Sequence, residues 1–241
     1  MNGGEAFSRS EALLGGAAMA RLEAAHVLVV GVGGVGSWCA EALARTGVGK
    51  ITLVDDDVVA ESNVNRQCPA TAKTIGRAKV EAMAERLKEI NPDCEVEAVN
   101  VRYSSSCVLC LKSFSLIVDA IDSVDAKAEL ILAATEAGVP LVSSMGAALK
   151  TDPTLAKVTR FEKVEGDGLA RALRQRFKKL GRFPKAKFSA VWSSEAPVVS
   201  NTEAQRRRGS AGKGSIMPVT ATFGMCLASE AIRILTKGES K

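Results

Sequence analysis

The sequence predicts an α/β fold, a doubly wound and mostly parallel sheet with helices on both faces. Short β-rich apolar runs alternate with helical patterns through the first 145 residues, and the first run ends in a glycine cluster that opens a helix. Length and composition agree. With 241 residues, 46% of them hydrophobic and 24% charged, the chain can bury one sizeable core and matches neither a disordered chain nor a fibre. No apolar run approaches the roughly 18 residues of a membrane span, so no membrane insertion is expected.

Residues 1–25 read as a helical arm without the apolar stretch of an export signal. Residues 26–30 are the first strand, 35–45 a helix closed by Gly47, and 51–54 the second strand. Over 77–90, Val80, Met83, Leu87 and Ile90 share one helical face, and Asn91-Pro92 stops the helix. Strands are expected at 96–99, 116–118 and 141–142, the last two separated by a helix over 125–137 that ends in Gly138. These elements form a core over 26–150. Beyond residue 150 the alternation fails. Strands at 155–161 and 188–192 flank a basic helix over 169–180, residues 193–215 read as a mobile loop, and a helix over 219–235 docks on the core. The chain is read as a single domain, with 151–215 as a basic insertion and 216–241 as the closing helical segment.

Six cysteines, Cys39, Cys68, Cys94, Cys107, Cys110 and Cys226, are scattered as in a reducing compartment, which points to the cytoplasm. Cys107-Val-Leu-Cys110 has no second CxxC or Cys/His pair to complete four ligands, so no zinc is expected. The net charge of +5 is uneven, because residues 157–213 hold 15 Lys/Arg against 5 Asp/Glu. Eight cations between Arg171 and Lys187 occur without an acid, and Arg206-Arg207-Arg208 adds a second cluster. Such a face attracts a polyanion by counterion release, and a solvated helix face with a disordered loop has the same composition.

Gly31-Val-Gly33-Gly34-Val-Gly36 follows the first strand and opens the first core helix, the context in which glycines let phosphates approach free N–H groups. Asp55 ends the next strand, 19 residues after Gly36, where a carboxylate accepts from ribose hydroxyls. This is a Rossmann-like nucleotide site. The stretch Ser62-Asn63-Val64-Asn65-Arg66-Gln67 and then Lys79 bring two cations near the same strand ends. A hydride-transfer site does not need them, whereas a triphosphate does, so ATP is favoured over NAD. Asp119 and Asp122 follow the fourth strand; either can hold Mg²⁺, and either can cap the helix near Asp125.

These motifs carry a resemblance. GVGGVGSW, LVDDDVVAESNVNRQ, the lysine of GRAKVEAM, INPD and VDAIDSVDAK are together similar to the E1-like (ThiF/MoeB/HesA) superfamily of ATP-dependent adenylating enzymes, over roughly residues 7–150. The resemblance implies an E1-like fold with Gly31, Gly33, Gly34, Gly36, Asp55, Asp57, Asn63 and Gln67 around ATP. It implies Arg66 and Lys79 on the phosphates, with Asp122 coordinating Mg²⁺ or orienting the phosphates. It further implies that Arg9, in Phe7-Ser-Arg9, reaches across a homodimer to the partner's ATP.

Within that superfamily, GSWCAEALARTGVGKITLVDDD, SSMGA with Asp152-Pro153, and Gly214-Ser215-Ile216 before an apolar helix resemble the tRNA threonylcarbamoyladenosine dehydratases, the TcdA or CsdL group. The implied substrate is N6-threonylcarbamoyladenosine at position 37 of tRNA, cyclised with loss of water through an acyl-adenylate. A sulfur-transfer protein partner, and a monovalent cation (Na⁺ or K⁺) near the loop from Ser143 to Gly146, come with the same resemblance. The alternative within the superfamily is adenylation of the C-terminus of a ubiquitin-like sulfur carrier, whose activators usually hold two CxxC pairs that this chain lacks.

Overall fold

The structure is a computed structural model describing residues 3–104, 109–198 and 214–237. The arm consists of α1 (Gly3–Ala6), α2 (Ser8–Leu14) and α3 (Gly16–Ala24), with Gly15 at φ +82° making the break between the last two. The core then follows as β1 (His26–Val30), α4 (Gly36–Arg45), β2 (Lys50–Val54), α5 (Lys79–Ile90), β3 (Glu95–Val99), β4 (Leu116–Asp119), α6 (Val124–Ala137) and β5 (Leu141–Ser144). After it come β6 (Ala156–Arg160), α7 (Gly168–Leu180), β7 (Ser189–Ser193) and α8 (Met217–Thr236). The ends lie within two residues of those read from the sequence.

One seven-stranded sheet runs in the order β3-β2-β1-β4-β5-β7-β6, parallel throughout except for the antiparallel edge strand β6. The alternation along β1 sends Val27 and Val29 to a core shared with α3, α4, α5 and α8, and Leu28 and Val30 to one shared with α6 and α7. Strands buried on both faces read as continuous apolar runs, which is why β1 and β2 were legible. At the β3 edge, Glu95 and Glu97 face outward and discourage pairing with another chain. The chain reverses direction across the sheet between β1 and β4, so the carboxyl ends of these two strands open the crevice where such sheets bind ligands.

Among the described residues, one helix, α8, is long and apolar enough to cross a membrane by length and composition, a test that a helix packed in a protein core also passes. Its apolar character has a local cause. It packs on α3, α4 and strands β5 to β7, and a Cβ at Gly224 would stand 2.6 Å from the Val35 carbonyl oxygen. The expected loop over 193–215 begins inside β7; residues 199–213, with Arg206, Arg207 and Arg208, lie outside the described residues, as does Cys107.

Candidate nucleotide-binding site

The turn from β1 into α4 is built by glycines with separate tasks. Gly31 holds φ +91° and donates to the Val54 carbonyl at 2.8 Å, and a Cβ there would lie 2.7 Å from the Ala120 oxygen. A Cβ on Gly36 would come within 1.9 Å of the Gly31 oxygen, so the turn closes only with glycine. Gly34 lies under the Arg66 methylenes and Thr220 of α8, each 3.3 Å from its Cβ position. Nothing stands within 4 Å of the Cβ position of Gly33. The space that a side chain would fill there, at the amino end of α4, fits a phosphate group.

Asp55 follows β2 and accepts the Val32 N–H at 2.6 Å and the Asp57 N–H at 2.9 Å. Burial pushes its carboxyl above the ordinary aspartate value, and the Asp57 N–H and the Lys79 charge partly offset this. The Asp57 carboxylate turns instead to Lys79, at 2.6 Å, and the Asp57 carbonyl accepts the Lys79 N–H at 3.0 Å. Lys79 is buried while Asp57 is open to solvent, so this contact holds the ammonium at the strand ends. The carboxylates of Asp55, Asp56 and Asp57 lie within 4.8 Å of one another, yet two already have partners.

The segment over 61–67 crosses the mouth of the turn. Arg66 bonds the Ser62 carbonyl and the Asn65 side chain at 2.9 and 2.8 Å, while the Trp38 indole donates to the Arg66 carbonyl at 2.9 Å. Trp38 thus packs on the core and fixes the main chain beneath the guanidinium. Asn63 accepts the Ala60 N–H at 3.0 Å and closes the local turn. Asn65 donates to the Ser215 carbonyl at 2.9 Å, tying the segment to the approach of α8. Gln67 is buried, and its Oε1 has no hydrogen-bond partner among the described residues. A buried acceptor without a partner suits a bound donor such as a nucleoside hydroxyl or amine.

At the end of β4, Asp119 and Asp122 separate completely. Asp119 is fully buried, accepting from Lys127 Nζ at 2.7 Å, Ser143 Oγ at 2.6 Å and the Ile121 N–H at 3.2 Å. Asp122 is exposed, with no hydrogen bond to the described residues. Neither caps α6, whose N-cap is Ser123. The open carboxylate is therefore Asp122, and its hard oxygens fit Mg²⁺. Lys127, fully buried, was missed by sequence reasoning; the signal was a charge on the apolar face of α6 among Ala128, Leu130 and Ile131. Burial lowers the Lys127 pKa, and Asp119 opposes that shift.

Arg9 is exposed on α2, near Phe7, which packs 3.7 Å from the Cβ position of Gly47 beyond the carboxyl end of α4. Ten residues of helix put that end about 15 Å from the glycine turn. Cys68 directly follows the site segment, but its thiol is buried, donates to Glu41 at 2.7 Å and is pushed up to about 12 by burial and that carboxylate. Burial also raises Cys39, Cys94 and Cys226, and Cys110 is exposed. Ser143 and Ser144 are buried, and the loop beyond them is stitched by Met145 N–H to Val191 O at 2.7 Å and Gly146 N–H to Asp167 Oδ2 at 3.1 Å.

Known proteins share this architecture. The chain is 40% identical to the tRNA threonylcarbamoyladenosine dehydratase of Escherichia coli, across 94% of this chain and 92% of that protein. It is 37% identical to the dehydratase of Bacillus subtilis, across 96% and 94%. Crystal structures of the Escherichia coli dehydratase, TcdA, in complex with AMP and with ATP match at TM-scores of 0.87 and 0.86, covering 96% of this chain and 94% of theirs. The model of the ThiF family matches residues 7–241, and on that match and these identities the chain belongs to the ThiF family.

Proposed function

We propose that this chain uses ATP to dehydrate N6-threonylcarbamoyladenosine at position 37 of tRNA, closing the threonyl side group into a ring. The observation that carries this reading is the 40% identity with a dehydratase across 94% of the chain. The glycine turn and the cations above it supply a chemical reason for the match.

A carboxylate oxygen is a poor leaving group. The threonyl carboxylate attacks the α-phosphorus of ATP and pyrophosphate departs; the carbamoyl group then attacks the acyl carbon and AMP leaves with the carboxylate oxygen, a net loss of one water. Because the second nucleophile is tethered to the carbon it attacks, intramolecularity supplies part of the rate and no protein nucleophile is required. The raised thiols of Cys39, Cys68, Cys94 and Cys226 suit that scheme. Arg66 and Lys79 neutralise charge growing on the phosphates; losing one such contact typically costs about 10²–10³ in rate. Lys79 must leave Asp57 to do so, and the exposure of Asp57 lets water replace the lysine. Gly31, Gly33, Gly34 and Gly36 shape the phosphate cradle, Asp55 accepts from the ribose, Asn63 holds the turn, and Gln67 offers its free acceptor.

Asp122 would hold Mg²⁺, which supplies charge neutralisation at the phosphates when bound. Arg9 acts from a second copy in a homodimer, as the resemblance to the superfamily implies; it is exposed on α2. A monovalent cation near Ser143 to Gly146, a sulfur-transfer protein partner and a cytoplasmic setting complete the reading.

The test is mass spectrometry of nucleosides from tRNA bearing threonylcarbamoyladenosine, incubated with the protein, Mg²⁺ and ATP, beside a Lys79→Ala variant. Loss of one water mass that needs both ATP and Lys79 is expected. Intact nucleoside, with carrier-dependent exchange of pyrophosphate into ATP, would overturn it in favour of carrier activation.

A further inference from the structure

The eight cations between Arg171 and Lys187 look alike in sequence, and the structure divides them into two groups. Arg174 donates to the Phe161 and Val164 carbonyls at 3.0 and 2.7 Å and covers the Phe161 ring. Arg176 pairs with Asp125 at 2.8 Å, and Arg182 and Lys185 share Glu136 at 3.4 and 2.7 Å. These four bind α7 and the turn after it to their surroundings. Arg171, Lys178, Lys179 and Lys187 are exposed, and their side chains neither hydrogen-bond nor pair with any described residue.

Three of the unpaired cations lie on one side of one helix. Ala170, Leu173 and Phe177 bury the inner face of α7, which leaves Arg171, Gln175, Lys178 and Lys179 along the outer face. The helix also has a defined direction. Its cap, Asp167, bonds the Gly146 N–H just past β5, and its far end meets Glu136 at the end of α6. It therefore starts at the carboxyl edge of the sheet, where the nucleotide crevice lies, and descends the flank. At 1.5 Å per residue Arg171 stands about 6 Å, and Lys179 about 18 Å, below that edge.

We propose that the outer face of α7 is the track on which the phosphate backbone of the tRNA lies, with Arg171, Lys178 and Lys179 as its phosphate contacts. This rests on the dehydratase reading above, since that reading puts a nucleotide within a long polyanion at the top of the track. A row of unpaired cations leading away from the site neutralises successive phosphates of the attached strand and fixes its orientation without reading bases. An acidic protein surface would need no such alignment with the crevice.

The experiment compares tRNA binding over a salt series, and steady-state kinetics, for the wild type, for Arg171→Gln/Lys178→Gln/Lys179→Gln, and for Lys185→Gln as a paired-cation control. Each lost phosphate contact lowers the slope of log K against log salt by about 0.9 on a duplex, so the triple variant should lose about 2 to 3. Its KM for tRNA should rise at least roughly tenfold, with ATP binding and kcat retained. The control should keep most of the slope. A triple variant with wild-type slope and KM, in a protein that dehydrates tRNA, overturns the track. A wild type that dehydrates nothing while the triple variant loses its slope would keep the track and overturn the activity.

Discussion

Glu41 lies within α4 and receives Arg86 at 2.6 Å, Arg45 at 2.8 Å and the Cys68 thiol at 2.7 Å, with only 7% of its side chain exposed. Burial alone would raise its carboxyl, but the hydrogen bonds from Arg86, Cys68 and Arg45 carry it down from 4.5 to about 2. A carboxyl whose folded value lies below its unfolded one stabilises the fold fully above the unfolded value, and loses that contribution as pH falls through the folded one. A fall from 4.5 to about 2 corresponds to about 3 kcal/mol. Arg45 and Arg86 are partly exposed and rehydrate when released, so Glu41→Gln should lose roughly 2 kcal/mol at pH 7. The gap between variant and wild type should begin to close below pH 4.5 and vanish near pH 2. Urea unfolding followed by the fluorescence of Trp38 and Trp192 over a pH series measures it. A gap below about 0.5 kcal/mol at neutral pH, or one that stays constant to pH 3, would refute the linkage argument.

Gly33→Ala should leave thermal unfolding unchanged while weakening ATP binding measured by calorimetry, because its Cβ enters only the open cradle. Gly36→Ala should lower both, since its Cβ meets the Gly31 oxygen at 1.9 Å; equal behaviour of the two variants would contradict the assignment. Lys127→Met leaves Asp119 charged and buried, at a cost of about 3–5 kcal/mol in chemical denaturation, and the double variant with Asp119→Asn should recover part of it. Cys68→Ser should retain dehydration within about twofold and wild-type Cys68 should resist iodoacetamide at pH 8, because its thiol sits near 12; loss of turnover would implicate a thioester.

The parts of the site legible in the sequence are those whose chemistry is local. The apolar run 26–30, the glycines, the helix they open and Asp55 after the next run define a phosphate turn within 30 residues. Lys79 was legible as a cation, but its partner was not, because Asp57 meets it across a bridge between Val58 and Ala78. The choice between Asp119 and Asp122 needed Lys127 and Ser143, which approach from α6 and β5. The position of β7 between β5 and the antiparallel β6 was equally hidden, since both are short apolar runs whose pairing depends on contacts formed elsewhere. The eight cations over residues 171–187 fit a polyanion-binding face and a solvated helix face alike, and only their neighbours reveal that half of them are structural.

The contact of Gly224 with α4, and of Thr220 with Gly34, has a consequence for biosynthesis. The phosphate turn is synthesised early, yet one wall of it belongs to α8, which leaves the ribosome about 190 residues later. At roughly 5–20 residues per second the emerging β1–α4 unit waits about 10–40 s for that wall. Throughout that interval the face of α4 that packs on α8 is uncovered and open to chaperones. A ribosome stalled before Met217 would hold a glycine turn that ATP cannot yet rescue, so nucleotide should protect the finished chain from proteolysis far better than it protects the nascent one.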